Sequence, residues 1–296
     1  LITTTDRSRW PNSGHLVFLG TFCLPDDPDS LLDQYTYEIA NTEIAPVDKS
    51  HYFQLSKSLH STLSRQLALA LNQCHQIDGS ERYWSIITGV WLRSFIDLVV
   101  SRAVVLTNIK KQHNEIIFVS IDHNKSVRAA RSFSEFNKFT KSPNWNSLII
   151  SDVWGHCTAV ETSTVQIFEQ PLDTPPKTST ASETKYVLTA TYLPRLKEAL
   201  LNLMLGSWPH RINIVQSPNV ECDETKRKEL NFALKSNDEF ENMLIEFVRN
   251  YLPTAYFEGF NELKFSISQM NYPESPRAIF TSNRHLYDDV FNVWVA

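Results

Sequence analysis

A chain of 296 residues is long enough for one large domain or two. With 42% hydrophobic and 21% charged residues it has the balance of an ordinary globular protein. A net charge of −5 supplies no basic field for nucleic acid, and the strongest basic patch, Lys226-Arg227-Lys228, is short and flanked by acids. Seven glycines, where average usage gives roughly twenty, form neither GxGxxG nor GxxxxGK[ST], which weakens dinucleotide and P-loop readings.

The N-terminal stretch LITTTDRSRWPN has no basic-then-apolar signal pattern. It also has no initiator Met, and the last residues, NVWVA, stop inside a helical pattern. Both ends therefore read as cuts in a longer chain. Cys23, Cys74, Cys157 and Cys222 are widely spaced without a CxxC, which suits buried thiols in a reducing compartment such as the cytoplasm.

The run HLVFLG at 15–20 reads as a buried first strand, and Gly20 stands where a parallel strand meets its loop. Asp26, Asp27 and Asp29 make a solvated turn around Pro28; they lack the alternating ligands of a calcium loop. A helix is expected over 51–77, striped by Tyr52, Leu55, Leu59, Leu63, Leu67, Leu71 and Cys74.

The longest apolar segment follows, at 78–106. Asp78 and Glu81 have capping-box spacing. Arg82, Ser85, Gly89, Arg93 and Asp97 fall on one face, and the rest is apolar, so the segment reads as a buried central helix with one wet stripe. A membrane span is disfavoured by Arg93, Asp97 and Arg102 within it. Arg82 and Arg93 could hold phosphate or sugar hydroxyls in a cleft.

A strand is expected at 115–122, ending in Asp122-His123, and Asn124 heads a chance glycosylation sequon. Short helices are expected at 133–139 and 144–154. Asp152 and His156 have a metal-ligand spacing, but without a second pair a local hydrogen bond is favoured. A strand could lie at 165–168, and 170–185, rich in Pro, Ser and Thr, reads as a mobile loop. The segment 193–205 is helical, with Leu196, Leu200, Leu203 and Met204 on one side and Pro194 in its first turn; 211–216 could be a strand. Ser236 and Glu239 form a second capping box, opening a helix whose inward face is Phe240, Met243, Leu244, Phe247, Val248 and Tyr251.

A spacer, Tyr272-Pro273-Glu274-Ser275-Pro276, then precedes a strand at 277–281 and a helix capped by Ser282-Asn283. This reads as the first strand–helix unit of a second domain, giving domains 1–272 and 273–296 in an α/β chain. Free N–H groups at that helix start would favour an anion such as a diphosphate, with His285 beside it as a ligand contact or acid–base group. No GxSxG, HExxH, paired zinc motif or Cys/His nucleophile pattern is present, so no catalytic residue and no metal ligand is assigned.

Five stretches carry a family resemblance: Trp10-Pro11 with VFLGTFC at 17–23, RYWSIITGVWL at 82–92, LKSNDEFENML at 234–244, LPTAYFEGF at 252–260, and IFTSNRHLYDDVFNVWVA at 279–296. In these the chain resembles transferases of bacterial surface-carbohydrate and O-antigen gene clusters. The departures are Ser85 and Val90 for the usual Arg and Pro, and Arg284 for a small residue. The resemblance implies a GT-B-like glycosyltransferase with two Rossmann-like halves. This chain would be the helix-rich, acceptor-side N-terminal half plus the start of the donor-side half. Its donor would be a nucleotide sugar used as co-substrate, with no further cofactor. Its acceptor would be a surface polysaccharide or lipid-linked glycan, which implies peripheral association with the inner face of the cytoplasmic membrane. The leaving diphosphate would be held by helix N-termini and basic side chains rather than a metal. The residues expected to bind substrate are Gly20, Arg82, Arg93, Ser282, Asn283 and His285. Two other readings stand beside this one: a non-catalytic α/β binding or scaffold protein, and a phospho-alcohol transferase on related architecture.

Overall fold

The computed structural model describes residues 1–31, 34–113, 116–118, 128–157, 186–206, 215–232, 238–270, 272–273 and 275–296. Several expected features lie outside them: most of the 115–122 strand with Asp122-His123, the Asn124 sequon, the 165–168 strand, the 170–185 loop, most of the 211–216 strand, and Ser236.

The fold is α/β and rich in helix. Two long helices, α1 (Pro46–His75) and α2 (Glu81–Gln112), form an antiparallel hairpin. The direction is fixed by its cross-contacts: the Ser56 hydroxyl donates to Asp97, the His60 ring meets the Gly89 carbonyl, and Trp84 donates to Asn72. Pro46 opens α1, a position where its missing N–H costs nothing. Gln76 ends it in the left-handed region at φ 54°. The turn is clasped by Asn72, whose Nδ2 donates to the Gly79 carbonyl (2.8 Å) while its Oδ1 accepts from Gly79 N (2.9 Å) and Trp84 Nε1 (2.7 Å).

That clasp corrects the expected start of α2. The cap is Ser80, which accepts from Tyr83 N, and not Asp78. With both polar groups of Gly79 held by Asn72, the helix can begin only after it. α2 also continues past 106, closing on Lys110 and Lys111, which the negative end of the helix favours.

α2 is the axis of the core. It packs on α1, α3 (Phe133–Phe139), α4 (Pro143–Cys157), α7 (Glu239–Tyr251) and α9 (Asp289–Val295). Trp84, Ile87, Trp91, Phe95, Ile96 and Val99 are buried in one continuous hydrophobic core. Each such burial contributes about 1.5–3 kcal/mol. Among the described residues no helix is long and apolar enough to cross a membrane.

The described strands form two parallel pairs. β1 (Gly14–Phe18) pairs with β2 (Tyr35–Ile39), Gly14 facing Tyr35; β3 (Tyr186–Thr189) pairs with β4 (Ala278–Thr281), Tyr186 facing Ala278. Gly14 begins β1 at φ 125°, which suits glycine alone. Ile2 bridges to Phe18 on the free side of β1, and Trp10 packs edge-on against Phe18.

Two further features depart from expectation. α7 is capped by Asp238, which accepts from Phe240 N. α5 (Arg195–Met204) turns Leu196, Leu200, Leu203 and Met204 to solvent and buries Asn202 instead. The short α6 (Glu224–Arg227) and α8 (Phe260–Ser268) flank a buried elbow at 252–260.

Candidate functional site

Parallel strands leave their loops, and hence most ligand contacts, at their carboxyl ends. β3 and β4 end side by side, bringing Thr189, Ala190, Thr191 and Tyr192 against Thr281, Ser282 and Asn283. Ser282 N donates to the Ala190 carbonyl (3.3 Å), and Asn283 Nδ2 donates to the Tyr192 hydroxyl (2.9 Å). Ala190 has φ 47°, an uncommon state for a residue with a Cβ and a small store of backbone strain at this edge.

Behind the edge lies a buried charge. Nε and Nη2 of Arg284 both donate to Asp288 Oδ2 (2.9 and 2.7 Å), its Nη1 donates to the Thr189 hydroxyl (2.8 Å), and its guanidinium lies over the Phe291 ring. Arg284 thus ties the end of β3 to the start of α9. Burial pushes the Asp288 carboxyl up, and Arg284 opposes that shift.

The neighbouring Asp289 is buried as well. It accepts from the Tyr256 hydroxyl (2.7 Å) and the Ser217 hydroxyl (2.7 Å). Burial raises its carboxyl too, and the two hydroxyls oppose the rise. Tyr256 belongs to the elbow at 252–260. There Glu258 pairs with Arg227 at 2.6 Å, both side chains being buried, and Arg227 also donates to the carbonyls of Arg249, Asn250 and Leu252. His75 donates to the Tyr256 carbonyl (3.2 Å), and its ring packs against those of Trp84 and Phe260, which also touch each other. Burial lowers its pKa to about 4. The central helix, the elbow and the DDVF segment are therefore fastened to one another by buried polar bonds and aromatic contacts.

This geometry corrects the expected helix cap. The chain does not become helical at Ser282-Asn283. Arg284–Leu286 makes a single 3-10 turn, and α9 starts at Asp289 with Asp288 as its cap, accepting from Phe291 N. The N–H groups at that start are met by a buried carboxylate, and Arg284 N donates to the Thr281 hydroxyl. The edge consequently offers an anion no open helix start. What it offers is the Ser282 hydroxyl, the Asn283 amide and the exposed Tyr192 ring, with the Glu198 carboxylate held by the Thr191 hydroxyl beside them and the half-buried His285 on the turn that follows. Such groups suit a ligand rich in hydroxyls.

The remaining expected site residues lie elsewhere. Arg82 is exposed on the first turn of α2. Arg93 is half-buried, paired with Asp97 at 2.9 Å and lying over the Phe53 ring. Gly20 follows β1, where an added Cβ would come within 2.6 Å of the Phe22 ring. No hydrogen bond or ion pair among the described residues joins these three to Ser282, Asn283 or His285. Asp152 and His156 also part company: Asp152 is held by Arg128 and the Tyr251 hydroxyl, and His156 faces Glu246. Among the described residues no group of three or more His, Cys, Asp or Glu side chains could hold a metal ion.

Sequence reasoning missed the β3 side of the edge and the part played by Arg284. One signal was present: an arginine four residues before an aspartate, the spacing of an ion pair.

An α/β, helix-rich chain with a polar edge where parallel strands end fits a ligand-handling enzyme domain. The chain matches the LIC12162 family transferase over residues 1–296, and it belongs to that family. The protein is thus a transferase of that family. No curated protein and no solved structure matches it.

Proposed function

We propose that the protein is a glycosyltransferase of surface-glycan assembly with a GT-B-like, Rossmann-type architecture. In this reading residues 1–272 form the acceptor-side domain and 273–296 begin the donor-side domain. The transferred sugar comes from a nucleotide-sugar co-substrate and passes to a polysaccharide or lipid-linked acceptor at the inner face of the cytoplasmic membrane. The observation that carries the reading is the edge of β3 and β4, where hydrogen-bonding groups and an exposed tyrosine ring meet over a rigid buried ion pair.

Each side chain has a role in this scheme. Ser282 and Asn283 hydrogen-bond sugar hydroxyls, the Tyr192 ring stacks on a sugar face, and His285 exchanges a proton with a hydroxyl or phosphate oxygen. Arg284 is a positioning residue: it fixes the loop after β4 and cannot itself reach a ligand while held by Asp288. Arg82 and Arg93 contribute a separate acceptor-side surface on α2, and Gly20 a third point of approach.

The test is transfer measured with a panel of nucleotide sugars, alongside CDP-linked alcohols, using the 296-residue chain alone and joined to the sequence that follows it in the gene. Sugar transfer by the longer polypeptide only is expected, with Asn283→Ala and His285→Ala lowering the rate at least about tenfold. Full activity in both variants would remove the edge from the site. Use of the CDP-alcohols alone would assign the phospho-alcohol chemistry instead, and turnover by the 296 residues alone would overturn the division into acceptor and donor sides.

A further inference from the structure

α5 is built inside out. Four of its large apolar residues recur at a spacing of four, three and one, which is one helical face. That face is turned away from the protein: Leu196 is 86% exposed, Leu203 72%, Met204 76% and Leu200 57%. Tyr192, just before the helix, is 81% exposed. The side toward the protein has one half-buried leucine, Leu201, beside polar groups. Asn202 is 2% exposed and donates to the Glu198 carbonyl, and the Glu198 carboxylate is half-buried and accepts from the Thr191 hydroxyl. A helix that follows a strand into a globular core ordinarily does the reverse.

The charges follow the same pattern. Glu198, the single acid of α5, is drawn inward, whereas Arg195 and Lys197 are exposed. The outward surface of α5 therefore carries grease and positive charge only, in a chain whose net charge is −5. Long cationic side chains beside an apolar face let their stems lie in a hydrocarbon boundary and their heads reach phosphate.

We propose that α5 is a membrane-docking helix that lays this leucine face on an anionic lipid bilayer. A protein partner, including a second copy, fits less well. Even with the flanking Tyr192, Leu193 and Leu205 counted, the exposed apolar side chains fall far short of the roughly twenty residues per side of a stable interface. A two-fold contact would also bring Arg195 and Lys197 against their own copies. A lipid surface needs no matching shape and rewards both features. The docked helix leads from Tyr192, whose hydroxyl is bound by Asn283, so the bilayer would lie beside the edge of β3 and β4. The inference deepens the proposed function by naming the surface that presents a lipid-linked acceptor, and it rests on that reading only for the acceptor's identity.

The test is flotation of the purified protein with vesicles of phosphatidylcholine alone or mixed with phosphatidylglycerol. Binding to the mixed vesicles is expected, with little to phosphatidylcholine alone. The Leu196→Asp, Leu203→Asp double variant should stay unbound, and Arg195→Glu with Lys197→Glu should weaken binding at least about tenfold. The parent's binding should fall as salt is raised. Both double variants should keep the parent's unfolding midpoint, since they alter outward side chains. No binding to mixed vesicles would overturn the proposal, as would binding that survives the aspartates. A lowered midpoint in the leucine variant would mean that the face is packed within the protein, and a parent dimer that those aspartates dissociate would mean that it meets a second copy; either overturns the proposal. Transfer to a water-soluble acceptor needs no vesicle, so failure of docking and failure of the transferase reading are separable.

Discussion

α2 and α5 both carry leucine-type stripes at helical spacing, yet the protein treats them in opposite ways. Around α2 five other helices close, so that nearly every apolar side chain is lost from water and the polar stripe faces out or toward α1. Around α5 Asn202 and Glu198 are turned inward beside Leu201, while Leu196, Leu200, Leu203 and Met204 face out. Periodicity identifies a face; it does not say what covers it. A helix apolar on all sides has no choice but burial, whereas one with a single narrow stripe can face either way, as α5 shows with Asn202 inside and Leu196, Leu200, Leu203 and Met204 outside.

The contrast can be broken most forcefully from the α2 side. Trp84→Ala should cost about 3–5 kcal/mol in chemical denaturation, because it opens a cavity beside His75 and Phe260 and leaves Asn72 Oδ1 one donor short. A loss below about 1 kcal/mol would show that α2 is not the axis of the core. Asn72→Ala should cost about 2 kcal/mol by stripping partners from Gly79 and Trp84, measured the same way.

Two titrations sharpen the picture with opposite signs. His75 is held near pKa 4 by burial against an ordinary 6.5, so between those values the unfolded chain binds more protons. Its contribution is therefore full above pH 6.5 and is lost as pH falls toward 4. In His75→Phe the unfolding free energy should vary less over that window than in the parent; equal slopes would refute a neutral His75. Asp289 behaves the other way. Burial raises it above the usual 3.8, so between 3.8 and its folded value the fold holds the extra proton, and stability falls as pH rises through that interval. Asp289→Asn should flatten that decline, and a variant whose decline matches the parent's would show that the carboxyl titrates normally.

The smallest effect belongs to α5. Leu200→Gln should change the unfolding free energy by no more than about 0.5 kcal/mol. A cost of several kcal/mol would place α5 in the same category as α2 and erase the comparison.

Long-range order in the sequence was readable where a pattern ran over many turns. The stripe from Leu59 to Leu71, the all-round apolar surface of α2, the face of α7 from Met243 to Tyr251 and the 133–139 helix all appear as expected. Caps were less readable, because a cap is chosen by what else holds the neighbouring backbone. Ser80 won over Asp78 once Asn72 had taken Gly79, and Asp288 won over Ser282 because Arg284 pulls its carboxylate into the core. The short strands β2 and β3 were missed, since five or four residues carry too little alternation to stand out. For the candidate edge, the sequence supplied Ser282, Asn283 and His285 but not Tyr192 or Ala190, which reach it only through a pairing across the chain.

That pairing also sets an order of assembly. Asn72 and Gly79 are seven residues apart, so the turn of the α1–α2 hairpin closes by local search alone. Asn283 and Tyr192 are separated by 91 residues, and Arg284 and Thr189 by 95, so the β3–β4 edge waits on the closure of a long loop. During synthesis the hairpin is complete well before residue 283 leaves the ribosome. The β3–β4 edge therefore forms after the hairpin, and a nascent chain can carry a folded two-helix scaffold before the two strands have met.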